Sequence, residues 1–271
     1  MKAESLINEN QADPNWRGKV FLWLEQALFL GNAAQTNLHA SPAIKILIAL
    51  GGEFRLKTSE KTDWQNFKSA IIAPGQSHAI DGQNERLALI ILVPEARAAQ
   101  PLKPILTRKG IWRVPAGIVQ NFLPIFEDFE NLNGVSVVSE KLSQTMVKKL
   151  RNGESLMFAE IDERVSQSLE RLRAETEKNL SVKEIAAGVE LSESRFSHLF
   201  TENLRVPVRR YLLWMKLRDA MHLLAKGVSL TDTAYEAGFS DSAHLTRTFR
   251  QMLGITPSAL LKFSSLISLE E

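Results

Sequence analysis

The chain has 271 residues, 44% of them hydrophobic, enough for one large or two ordinary domains with real cores, which speaks against disorder over most of its length. Its formal net charge of only +2 excludes a polybasic chromatin-type protein. The absence of cysteine removes disulfides, thiolate metal sites, iron–sulfur clusters and cysteine nucleophiles, and fits a reducing cytoplasm.

The first segment, 1–17, carries Glu4, Asn8, Glu9, Asn10 and Asp13 where a secretory leader would show a basic and then an apolar stretch. The longest wholly apolar run, 87–93, is far short of the roughly 20 residues that cross a bilayer, so a cytoplasmic protein with no membrane partner is expected. From Val20 to Ala96 short apolar runs (20–30, 43–50, 53–58, 67–73 and 87–93) are broken by Gly31-Asn32, Gly51-Gly52, Pro74-Gly75 and Asp81-Gly82. That rhythm predicts a small β barrel or sandwich. Pro101 and Pro104 then mark a connection, and 117–131 and 139–150 space their apolar residues as helices do. Val119, Phe122, Leu123, Phe126 and Phe129 form the apolar stripe of the first of these helices.

From Glu160 onward almost everything reads as helix: 161–177, 182–189, 192–204, 208–225, 230–236, 241–253 and 258–263. This region repeats itself. Ser181, Glu184 and Ala186 recur 48 residues later as Ser229, Asp232 and Ala234, while Phe200, Leu204 and Val206 recur 49 later as Phe249, Leu253 and Ile255. Each copy is a short helix, a tight turn and a longer helix, and Gly238 in the second turn suits the positive φ such turns use.

In the longer helices Phe196, Leu199, Phe200 and Leu204, then Leu245, Phe249, Met252 and Leu253, are spaced to face the core. The opposite faces carry Ser194, Arg195, Ser197 and His198 in one copy and Ser242, Ala243, Thr246 and Arg247 in the other, groups suited to base edges in a major groove. Thr201, Arg209, Arg210, Arg250 and the helix start at Thr256 are candidates for phosphate contacts. The helix 208–225, at about 1.5 Å per residue, is a rod of roughly 27 Å that can hold two reading helices near the ~34 Å of one duplex turn. Residues 192–262 hold ten basic against six acidic residues, whereas 161–191 hold five against seven, so the positive excess lies where DNA is expected.

The stretch 229–260, SLTDTAYEAGFSDSAHLTRTFRQMLGITPSAL, together with SVKEIAAGVELSESRFSHLF at 181–200 and Tyr211-Leu212, closely resembles the signature of the AraC/XylS family of bacterial transcription regulators. The resemblance implies an all-α C-terminal domain with two helix-turn-helix units, about 181–204 and 229–253, behind a mainly-β, cupin-like N-terminal barrel with accessory helices. Its domains would be a sensor at 1–135, a connecting or dimerising region at 136–160 and the DNA-binding part at 161–271. Implied partners are double-stranded promoter DNA, a small effector, RNA polymerase and a second copy of the chain. The first unit departs from the family pattern with Glu190 and Arg205 where glycines are usual and Pro207-Val208 for Ser-Pro; beyond the second unit, Leu260 stands where tyrosine is frequent.

Segment 70–80, AIIAPGQSHAI, resembles a cupin strand-turn-strand. His39 and His78 each lack the second histidine and the carboxylate of a metal cupin, so no metal, cofactor or catalytic residue is expected. Phe21, Trp23, Ile46, Ile48 and His78 are the effector-pocket candidates, although the same apolar residues could simply fill the barrel. Two other readings stay open here: a cupin-type enzyme or metal-binding protein with a helical appendage, and a helix-turn-helix module kept for protein contacts alone.

Overall fold

The computed structural model describes residues 16–96, 99, 102, 110–114, 123, 126, 161–174 and 180–269. The helices expected at 117–131 and 139–150 and the connecting region 136–160 lie, all but residues 123 and 126, outside the described residues.

The N-terminal half is two β-sheets, the larger completed by a strand from near the end of the chain. Strands β1 (Arg17–Leu22), β2 (Gln26–Asn32), β3 (Ile44–Ala49), β6 (Ser69–Ile72), β8 (Arg86–Leu92), β9 (Ile111–Arg113) and β10 (Ser264–Ser268) make a seven-stranded sheet in the order β10-β1-β2-β8-β3-β6-β9. Strands β4 (Phe54–Lys57), β5 (Gln65–Phe67) and β7 (Ala79–Asp81) form the smaller one, β5-β4-β7. The apolar run 20–30 is therefore two strands, turned at the polar pair Glu25-Gln26 that interrupts it. Strand β3 is buried along its whole length, so both of its faces are covered.

In β3 the register sets Lys45 beside Ile91 of β8, which is itself opposite Ala27 of β2; two residues further on, Leu47, Leu89 and Phe29 line up the same way. Because side chains alternate across a strand, Lys45, Leu89, Ile91, Ala27 and Phe29 share one face, while Ile46, Ile48 and Phe21 belong to the other.

The C-terminal half has α1 (Glu163–Ala174), α2 (Val182–Ala187), α3 (Glu193–Leu204), α4 (Val208–Ala225), α5 (Leu230–Glu236), α6 (Ser242–Leu253) and α7 (Pro257–Phe263). The repeat survives as structure: α2 and α5 start 48 residues apart, α3 and α6 start 49 apart. Equivalent caps set these starts. Ser181 and Ser229 accept from Glu184 N and Asp232 N, and Ser192 and Asp241 accept from Arg195 N and His244 N. Glu184 closes a capping box on Ser181, whose hydrogen bonds hold its carboxyl below the usual range.

The all-helical expectation fails at the end of the region. Strand β10 follows directly on α7 and pairs in parallel with β1 from Gly18↔Ser264 to Leu22↔Ser268. The edge of β1 offers unpaired backbone groups that this segment satisfies, a tertiary effect that local periodicity does not record.

The two positions where glycine is usual in the first unit adopt the backbone that glycine serves. Glu190 has φ 56° and Arg205, the cap of α3, φ 61°; their counterparts Gly238 and Gly254 have 76° and 79°. A left-handed residue with a Cβ costs about 1 kcal/mol. Glu190→Gly and Arg205→Gly are each expected to stabilise the chain by about that amount, read as a raised urea midpoint with an unchanged slope.

Candidate nucleic-acid interface and ligand cavity

On α3, Phe196, Leu199, Phe200 and Leu204 are buried; on α6, Leu245, Thr248, Phe249 and Met252 are. Their core-facing assignment leaves the opposite faces outside: Ser194, Arg195 and His198 are exposed and Ser197 half-buried, and on α6 Ala243 and Arg247 are exposed with Ser242 and Thr246 half-buried. His198 lies 3.3 Å from Glu202 one turn on, so its ring is oriented along the helix surface.

The phosphate candidates divide. Arg250 is exposed on α6, and Arg209 is exposed with Glu193 at 3.2 Å. The Thr201 hydroxyl donates to Ser197 O within α3, and Thr256 caps α7 by accepting from Ala259 N, with Pro257 at the helix start. Arg210 is engaged elsewhere: its guanidinium donates to Ala40 O of the N-terminal half at 2.6 Å, which removes it from the set free to meet a phosphate.

A cavity lies between the halves. One wall is the sheet face just described, with Val20, Leu22, Ala27, Phe29, Leu89 and Ile91 around Lys45. The other wall is Trp214, Leu217, Arg218, Met221 and His222, whose spacing of three and four residues is one stripe of α4. Leu253 at the end of α6, Ile255 in the turn after it and Leu260 of α7 complete it. Of the pocket residues expected from sequence, Trp23 lines this cavity. Phe21, Ile46 and Ile48 do not, because they stand on the alternate face of their strands, and His78 reaches the cavity only through Lys45.

Sequence reasoning missed Lys45. Its signal was one lysine inside the apolar run 43–50, at a position with 1% exposure. The Lys45 ammonium donates to His39 Nε2 at 2.6 Å and His78 Nε2 at 3.2 Å. The other ring nitrogens donate to carbonyls, His39 Nδ1 to Asn37 O and His78 Nδ1 to Gln76 O, both at 2.8 Å, which makes each Nε2 an acceptor. Burial lowers Lys45 to about 7, and burial and then the lysine charge hold both histidines well below their usual value. Two neutral imidazoles accept two of the three N–H groups of the charged amine, and among the described residues no carboxylate pairs with Lys45.

Further side chains tie α1 and α4 to the N-terminal half. The buried Tyr211 hydroxyl donates to Glu95, whose carboxyl burial pushes up; Arg173 meets Glu25 at 2.8 Å and Glu95 at 3.5 Å; and Arg218 donates to Leu24 O at 3.0 Å. Among the described residues no cluster of His, Asp or Glu could hold a metal ion, and no helix is long and apolar enough to cross a membrane.

A β half joined to two capped helix–turn–helix repeats defines a two-domain architecture with a helical, DNA-binding-type C-terminal region. Residues 185–262 match the helix-turn-helix domain family. A relative, the uncharacterized HTH-type transcriptional regulator SAS0078 of Staphylococcus aureus (strain MSSA476), is 32% identical over 97 residues, 35% of this chain; the match spans 13% of that relative's length. Over nearly the whole length the fold is similar to ToxT of Vibrio cholerae strain SCE256. An apo point variant of ToxT has a TM-score of 0.62 at 11% identity, covering 89% of this chain and 98% of that one. The unsaturated fatty acid bound wild-type form has a TM-score of 0.58 at 13% identity, covering 89% and 96%.

Proposed function

We propose that the protein is a sequence-specific DNA-binding transcription regulator, a sensor at 1–135 and a DNA-binding part at 161–271 with 136–160 between them. It sets α3 and α6 into adjacent major grooves. The observation that carries this reading is the repeat itself: two equivalently capped helices, buried on one side, with Ser, Thr, His and Arg on the other. Ser194, Arg195, Ser197 and His198 read bases from α3, and Ser242, Ala243, Thr246 and Arg247 from α6; Thr201, Arg209, Arg250 and the backbone N–H groups at Thr256 hold phosphates. A second copy of the chain and RNA polymerase are its protein partners, and its place is the cytoplasm.

The cavity takes the effector. Its apolar walls and the buried, carboxylate-free Lys45 suit an apolar molecule with an acidic head, the class of compound that ToxT holds in its unsaturated fatty acid bound structure.

Selection from a random duplex library followed by shift assays tests the DNA reading. Enrichment of a defined sequence is expected. Arg247→Ala should relax preference at one base step, by about 1–3 kcal/mol, whereas Arg250→Ala should weaken all sites alike and reduce the salt slope by about 1. A library that emerges unenriched would end the proposal.

A further inference from the structure

The two reading units are attached to the sensor half in different ways. Apolar side chains of the first, from Val165 to Tyr211, pack in a cluster of their own. Those of the second, including Phe239, Leu245, Phe249 and Met252, share one continuous core with the N-terminal sheet. Leu253 and Ile255, on either side of the α6 cap Gly254, are cavity wall.

Segment 36–40 is clipped to that same cap. Asn37 N donates to Gly254 O at 2.9 Å and Ala40 N to Gln251 O at 3.1 Å, so two carbonyls at the C-terminal end of α6 are satisfied from the sensor half. His39 lies between these two amides. Its Nδ1 side holds Asn37 O and borders Gly254, and its Nε2 side holds the Lys45 ammonium.

We propose that His39 is the positioning residue through which cavity occupancy is felt at the C-terminal end of the second reading helix, α6, the end that segment 36–40 holds through two backbone hydrogen bonds. The proposal rests on the reading of the cavity as a ligand site. In a space with little water a carboxylate is a far better partner for an ammonium than a neutral imidazole is. An acid in the cavity therefore draws Lys45 from His39, the ring loses one of its two hydrogen bonds, and segment 36–40 loosens its hold on Gln251 and Gly254. The C-terminal end of α6 can then shift while its apolar side stays in the shared core, and the spacing of the two reading faces changes with it.

Hydrogen exchange by mass spectrometry on the full-length chain tests the relay without any ligand. Lys45→Met and His39→Gln should each speed exchange in segments 36–40 and 251–255 by about threefold or more, with 193–204 unchanged. In the double variant Lys45→Met should add nothing to His39→Gln, since both break one path. Unaltered exchange at 251–255, an equal rise at 193–204, or additive effects would overturn the proposal. His39→Gln keeps a hydrogen-bonding amide, and Lys45→Met keeps length and apolar bulk, so the two variants report on the relay by different chemistry.

Oleate, followed by the fluorescence of Trp16, Trp23 and Trp214, is the separate probe of the cavity. Failure of oleate to bind counts against the ligand reading and leaves the relay to the ligand-free comparison. Oleate that binds without changing exchange at 251–255 sinks the relay alone.

Discussion

Gly254→Ala is expected to destabilise the chain by about 3 kcal/mol or more, whereas Gly227→Ala, at a nearly identical backbone angle, should cost only about 1. Both glycines are left-handed, with φ of 79° and 80°. A methyl group at 227 meets nothing within 4 Å. At 254 it would lie 2.8 Å from both Asn37 O and Thr36 Cβ and run into the His39 ring, and a backbone carbonyl held by the hydrogen bond from that ring cannot easily step aside. The clip between Asn37, Ala40 and the end of α6 must then open, losing two hydrogen bonds at about 1 kcal/mol each on top of the backbone strain. Urea unfolding of both variants beside the parent checks this, and equal losses would mean that segment 36–40 is not seated on α6.

Lys45 should dominate the difference in pH dependence between the parent and Lys45→Met. The folded amine titrates near 7 and the free side chain at 10.5, so between those values the unfolded chain binds more protons and stability rises with pH. The slope attributable to this group approaches about 1.4 kcal/mol per pH unit, several kcal/mol across the window. Lys45→Met should lack that rise, and below pH 7 the two curves should run parallel as far as this amine is concerned. The histidines act at the other end: both are held neutral, so stability falls as pH drops below their ordinary 6.5. Thermal melts at pH steps from 6 to 10.5 give the comparison, and a flat difference above pH 7 would show that the amine is solvated.

The C-terminal helices could be read from sequence because their determinants are local. Ser181, Ser192, Ser229 and Asp241 each sit one residue before a helix and bond the third residue on, and the 48- and 49-residue offsets repeat them. Glu190 and Arg205 stood out as departures from the family pattern that the sequence resembles, and their positive φ values give that departure a physical meaning.

The cavity could not be read in this way. It needs the register of β2, β8 and β3, which decides that Lys45 and Phe29 share a face that Ile46 and Ile48 do not. It also needs α4, which from sequence is only a spacer. That helix is half-buried or buried on nearly all sides, so its apolar residues mark no single face, and the stripe 214, 217, 218, 221 and 222 becomes visible only once the sheet lies against it. Strand β10 was hidden because SSLIS has no periodicity of its own and takes its conformation from β1.

That last pairing bears on how the protein can be dissected. Cutting the chain before α1 would strand Leu266 and Ile267 as a bare apolar ribbon in the helical piece and uncover the margin of Arg17–Leu22 in the other. Both pieces would tend to stick to themselves or to each other, and loss of DNA affinity in such a fragment would then report a torn seam instead of a missing sensor. Removal of the final strand along with the sensor, ending at Phe263, keeps α7 whole and gives the cleaner separation.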